Sequence, residues 1–168
     1  ALIVGMGKAA QNGILFKNGE GLEELHRADT IVFDKTGTIT EGKLSVKNIF
    51  VNEISEKEFL SILSSLERKS EHPIAKAISE FTKEKNINPI LVTEFENKPG
   101  KGIKGKTDKN NLLAGNESFM LENKIDLSIV RNELKNEAIK NSSLIFLAID
   151  GTLKGFVSVV DSVKDNSA

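Results

Sequence analysis

Thr30-Ile-Val-Phe-Asp-Lys-Thr-Gly-Thr-Ile-Thr40 is the stretch on which the fold turns. It opens with a short continuous apolar run, Thr30 to Phe33, rich in β-branched side chains. Such a run predicts a strand buried on both faces, as in a parallel sheet. Asp34 follows at once, which puts a carboxylate at the carboxyl end of that strand, the edge of an open α/β sheet where ligands bind. Lys35, Thr36, Gly37 and Thr38 then offer an ammonium, two hydroxyls and backbone N–H groups, the donors a phosphate requires. In that setting Asp34 is placed as a nucleophile toward a phosphoryl group, giving an aspartyl-phosphate. Phosphoryl transfer is catalysed mostly by positioned charge, so a divalent cation is expected beside it. A solitary Asp-x-Thr-Gly would read more simply as a turn that closes a strand.

Working outward, residues 1–29 are dotted with glycine and weakly helical. On the other side, Leu44–Val51 alternates loosely and predicts a strand. Ser55 and Glu58 form a capping box, and Phe59, Ile62, Leu63 and Leu66 recur at helical spacing behind it. Pro73 starts a second helix with Ile74, Ala77, Ile78 and Phe81 on one face. Residues 90–121, with their glycines, asparagines and short apolar runs, predict antiparallel strands and turns. Leu127, Val130, Leu134 and Ala138 predict a third helix. Leu144–Ile149 and Leu153–Val160 flank Asp150-Gly151, a strong hairpin signal. Apolar strands at both ends therefore enclose a self-contained middle. This pattern predicts a sheet interrupted by an inserted domain, with linkers near Glu41-Gly42 and Asp161.

Composition narrows the class. The 168 residues are 39% hydrophobic and 28% charged, ordinary for a globular chain of one or two small domains. The net charge of −1, with both signs dispersed, gives no basic patch for nucleic acid. There is no cysteine, which excludes a disulfide framework and any thiolate metal site. His26 and His72 lie too far apart in sequence to make a metal site alone. No apolar run reaches the roughly 18 residues that span a bilayer.

Read whole, Asp34-Lys-Thr-Gly-Thr-Ile-Thr40 resembles the phosphorylation signature of P-type ATPases, and the resemblance covers the whole chain. Phosphatases of the haloacid dehalogenase superfamily share the nucleophilic Asp but usually carry a second Asp two residues later as general acid and base. Here that position is Thr36, which cannot activate water in that way. A phosphoenzyme that persists long enough to drive a conformational step favours a pump over a phosphatase. Ser70-Glu-His-Pro73 resembles the signature of the heavy-metal-transporting subgroup, whose His packs against adenine. Glu67 matches the subgroup's adenine-side Glu, Gly100-Lys-Gly102-Ile103 its Gly-x-Gly-Ile loop, and Gly115-Asn116 its later Gly-Asn pair. An imidazole can stack on a purine, and glycines let a backbone approach a nucleotide closely.

The resemblance implies a partial haloacid dehalogenase-like α/β phosphorylation domain carrying an inserted α+β nucleotide-binding domain, an antiparallel sheet flanked by helices. Residues 1–42 would hold the end of a membrane-helix linker and the first part of the phosphorylation domain. Residues 43–152 would be the nucleotide domain, and 153–168 the return into the phosphorylation domain. The implied site has Asp34 as the phosphorylated residue and Lys35, Thr36, Gly37 and Thr38 on the phosphate. Glu67, His72, Gly100, Gly102, Ile103 and Asn116 would lie on ATP, and Mg²⁺ on the Asp34 carboxylate and the Thr36 backbone carbonyl. Lys8–Lys17 and Gly19–Glu23 resemble copper exporters more than zinc or cadmium exporters. The transported ion would bind in membrane helices outside this chain. The Thr-Gly-Asp and Gly-Asp-Gly-x-Asn-Asp motifs of the family do not occur in the 168 residues. The chain therefore reads as a fragment that serves the rest of a pump on the cytoplasmic face of a membrane and is inactive alone. A zinc/cadmium-type exporter, a phosphatase and a non-catalytic ATP-binding module are the alternatives.

Overall fold

The computed structural model describes residues 1–34, 37, 38, 40–68, 70, 72–140 and 142–163. They fall into two units, Ala1–Lys35 and Thr36–Ala168. In the first unit, helix α1 (Leu2–Gln11) packs on α2 (Gly19–Arg27). Asn18 starts α2 by accepting the Gly21 N–H at 3.0 Å, an N-cap in the standard sense.

The strand expected at Thr30–Phe33 does not form. Those residues join no strand ladder, and the side chains of Ile31, Val32 and Phe33 are 63%, 90% and 63% exposed. The physical reason is that a strand buried on both faces is made by its neighbours. Every strand among the described residues is already committed to one antiparallel sheet of the second unit.

That sheet has six strands in the order β1-β6-β5-β4-β3-β2. They are β1 (Thr40–Val51), β2 (Thr93–Lys98), β3 (Gly102–Lys106), β4 (Asn111–Gly115), β5 (Ser143–Ile149) and β6 (Thr152–Val163). Helices α3 (Glu56–Glu67) and α4 (Pro73–Glu84) follow β1, and α5 (Glu117–Glu122) follows β4. The capping expectation holds: Ser55 Oγ accepts the Glu58 N–H at 3.2 Å.

Period-two alternation along the strands sorts the core onto two faces. On one, Phe59, Leu63, Leu66 and Ile78 of α3 and α4 pack on Leu112, Leu147, Val157 and Val159. On the other, Phe119 and Met120 of α5 pack on Leu113, Phe146, Leu153 and Phe156. The rings of Phe50 and Phe156 stack at 5.8 Å, and Phe146 tilts on Phe156 at 5.7 Å, tying three neighbouring strands on that face. This is the expected antiparallel sheet flanked by helices. The β5–β6 hairpin turns where Asp150-Gly151 predicts: both residues have positive φ (48° and 81°), as a type I′ turn requires.

Strand β6 lies between β1 and β5, with Thr40 opposite Val163 and Leu44 opposite Asp161. The second unit's sheet therefore runs from Thr40 to Val163, because β1 pairs along β6 from Gly155 to Val163. The predicted helix through Leu127–Ala138 is instead two single 3₁₀ turns, Ser128–Val130 and Glu133–Lys135, and a short α6 (Glu137–Lys140). Asp126 accepts the Ser128 N–H and hydroxyl, each at 2.8 Å, and Asn136 is extended at φ −66°, ψ 128°. Short polar side chains that bond nearby backbone compete with a helical ladder. The apolar positions still serve their purpose: Val130 is fully buried, and Leu127 and Leu134 pack against the second face.

Candidate nucleotide-binding cleft

The C-terminal end of α3, the start of α4, the β2–β3 loop, the β4–α5 junction and the first residues of β5 enclose a cleft of about 610 Å³. All six expected nucleotide residues line it: Glu67, His72, Gly100, Gly102, Ile103 and Asn116. Ser70, Ile74, Lys98, Lys101, Leu144 and Ile145 complete much of the wall. Leu144 and Ile145 come from the far side of the sequence, and no local pattern marks them as site residues.

His72 is the N-cap of α4, ahead of Pro73 at the first helical position. Its Nδ1 accepts the Ile74 N–H at 3.2 Å, so the ring orientation is set by the helix start. The His72 N–H donates to Ser70 Oγ at 3.3 Å. The ring itself is exposed at the cleft, with a π-face available to a flat ligand. Capping and stacking are thus compatible uses of one side chain.

Glu67 is the last residue of α3 and only 8% exposed. Burial pushes its carboxyl up to about 7 from 4.5, opposed in part by a hydrogen bond from Ser70. Its place at the negative end of the helix dipole acts in the same direction as burial. A carboxyl group held near neutrality in a cleft is a functional-site signal.

The Gly-x-Gly loop is shaped by close approach. Gly102 pairs with Gly115 across β3 and β4. A Cβ on Gly102 would lie 2.2 Å from the Ala114 carbonyl oxygen and 2.5 Å from the Phe119 ring. Gly102→Ala is therefore expected to destabilise the second unit by about 2 kcal/mol, the scale of overpacking against backbone that cannot yield. Urea unfolding followed by circular dichroism reads this, and an unchanged midpoint would show that the strands part easily. Asn116 holds the loop in place. Its Oδ1 accepts the Phe119 N–H at 2.9 Å and its Nδ2 donates to the Gly100 carbonyl at 3.0 Å. Its backbone N–H donates to the Lys101 carbonyl at 2.9 Å. Asn116 is a positioning residue, and Ile103, 6% exposed, is mainly core that also walls the cleft.

The phosphorylation signature straddles the two units. Asp34, exposed, lies in the first. Lys35 and Thr36 lie outside the described residues, and with Thr36 one of the two expected Mg²⁺ ligands. Gly37 and Thr38, both exposed, belong to the second unit. There the Gly37 N–H donates to Thr40 Oγ1 at 3.2 Å, and the Thr40 hydroxyl donates to Asp161 Oδ2 at 2.6 Å. A carboxylate such as that of Asp34 is the kind of hard oxygen donor that Mg²⁺ prefers. Among the described residues no group of three or more His, Asp or Glu side chains could hold a metal ion.

The fold, the signature and the cleft define a class. A family model for haloacid dehalogenase-like hydrolases matches residues 28–167, and the chain belongs to that family. Its relatives carry a more particular name. It is 39% identical over 98% of its length to a copper-exporting P-type ATPase of Staphylococcus haemolyticus. It is 41% identical over its full length to one of Staphylococcus saprophyticus. The chain covers 20% and 21% of those two proteins, about a fifth of the curated relatives it matches. A crystal structure of a zinc-transporting PIB-type ATPase in an E2.Pi state superposes with a TM-score of 0.84 at 25% identity, covering 100% of this chain and 27% of that one. The resemblance read from the signature and from Ser70-Glu-His-Pro73 is thereby borne out. No helix among the described residues is long and apolar enough to cross a membrane.

Proposed function

We propose that this chain is the ATP-binding and phosphoryl-accepting segment of a copper-exporting P-type ATPase. ATP binds in the cleft with its base between Glu67 and His72, and Mg²⁺ accompanies its phosphates. Asp34 attacks the γ-phosphate in concert with the rest of the pump, on the cytoplasmic face of the membrane. The observation that carries the reading is convergence: residues from 67 to 116, each weak as a signal alone, share one cleft with a buried carboxyl and an exposed imidazole. Thr36, where related phosphatases have an acid, favours a phosphoenzyme that lasts. The names of the curated relatives favour copper over zinc as the exported ion.

His72→Ala tests the cleft. ATP affinity is expected to fall by about 1–2 kcal/mol, the scale of one lost base-stacking partner. Titration calorimetry measures it, with circular dichroism to check that α4 survives loss of its cap. An unchanged affinity in a folded variant would remove His72 from the site.

A further inference from the structure

Glu67 is the only acid lining the cleft among the described residues. The other titratable groups facing it are His72 from the start of α4, Lys98 at the end of β2 and Lys101 from the β2–β3 loop. The wall segments from β3, β4, α5 and β5 present none. Both lysines are already engaged, Lys98 with Glu96 at 2.5 Å and Lys101 with Glu122 at 2.7 Å. So the cleft holds a carboxyl group with 8% exposure and a hydroxyl, Ser70, as its hydrogen-bond partner. A planar ligand seated beside it would remove the remaining water and penalise the charged form further.

The hydrogen-bonding pattern of the base then matters. Adenine presents an amino donor beside a ring-nitrogen acceptor, the pattern that Asn and Gln satisfy with two bonds. A neutral carboxyl has the same pair, one O–H donor and one carbonyl acceptor, whereas a carboxylate only accepts. Guanine's Watson–Crick edge presents two adjacent N–H donors, which suit the carboxylate instead.

Building on the proposed adenine site, we propose that Glu67 reads the base in its neutral form. Its O–H donates to a ring nitrogen of adenine and its carbonyl oxygen accepts from the amino group. Binding of adenine nucleotide then takes up a proton from solvent, and preference for adenine over guanine weakens as pH rises. The geometry of the cleft carries this; the elevated proton affinity of Glu67 puts the switch near neutrality.

The test is titration calorimetry on this chain and its Glu67→Gln variant, with ATP and GTP, at pH 6, 7 and 8 and in two buffers of different ionisation enthalpy. With a midpoint of about 7, the binding-competent neutral fraction falls about tenfold between pH 6 and 8, and the ATP affinity of the unaltered chain should fall with it. Near pH 7 about half a proton should be taken up per ATP bound. The Gln variant keeps one donor and one acceptor, so these components should vanish from it. Titration of the nucleotide phosphates is common to both proteins and cancels in the comparison. The ATP-to-GTP preference of the unaltered chain should shrink from pH 6 to 8 and that of the variant stay level. Equal pH slopes in the two proteins, or loss of ATP binding by a folded Gln variant at pH 6, overturn the proposal. An unaltered chain that binds no ATP at any pH would instead overturn the nucleotide cleft itself.

Discussion

Glu67→Gln is expected to make the protein more stable at and above neutral pH, by roughly 3 kcal/mol relative to its effect in acid. The folded state raises the Glu67 carboxyl from 4.5 to about 7, principally through burial. Between those values the folded chain holds a proton that the unfolded chain has released. Stability falls wherever the unfolded state binds fewer protons, so the wild-type chain loses stability as pH rises from about 4.5 to about 7 and levels off above. A tenfold difference in proton affinity between the folded and unfolded chains is worth about 1.36 kcal/mol, which sets the size. Glutamine has nearly the same shape and no proton to lose. Urea unfolding at pH 5 and pH 8 measures the difference, followed by circular dichroism because the chain has no Trp or Tyr. Parallel pH dependences in the two proteins would mean that Glu67 is solvated in the folded state. A residue that costs stability at the pH of use is tolerated where its chemistry is needed, which is why Glu67 points to the cleft more firmly than any glycine in the loop.

How much of this was legible in the sequence depends on how local each code is. The α3 and α4 starts are written in Ser55, Glu58 and Pro73, and the β5–β6 turn in Asp150-Gly151, and all three form as read. The cleft residues were legible through Ser70-Glu-His-Pro73 and the Gly-x-Gly-Ile loop, although the reason for Gly102 was not. It faces Gly115 and the Phe119 ring across a strand pair, a contact no spacing rule displays. Leu144 and Ile145 escape a sequence reading for the same reason, since they reach the cleft only because β5 lies beside β4. Thr30–Phe33 misleads because an apolar run announces burial without supplying what buries it. Leu127–Ala138 misleads because apolar spacing survives in a chain of short turns as well as in a helix; Asp126 and Asn136 are the better guides. The far half of β6 is hard to place because a strand's partner, here β1 some 110 residues earlier, is not written in the strand.

In a full-length pump carrying this segment, Asp34→Asn is expected to abolish phosphoenzyme formation while leaving nucleotide binding nearly intact. The asparagine keeps the shape of the side chain but has no anionic oxygen to attack the γ-phosphate, and it weakens any Mg²⁺ held there. The adenine contacts proposed for Glu67 and His72 belong to the second unit, whereas Asp34 belongs to the first, so the two effects should separate. Acid-stable labelling from γ-labelled ATP reads the first and nucleotide titration the second. His72→Ala supplies the reverse comparison: it should raise the ATP concentration needed for labelling without abolishing labelling at saturation, because its contact is with the base and not the reacting phosphate. Labelling that persists in Asp34→Asn would place the nucleophile elsewhere. Loss of both labelling and ATP binding would mean that Asp34 organises the second unit, and would contradict a division of labour in which one segment holds the base and the other accepts the phosphate.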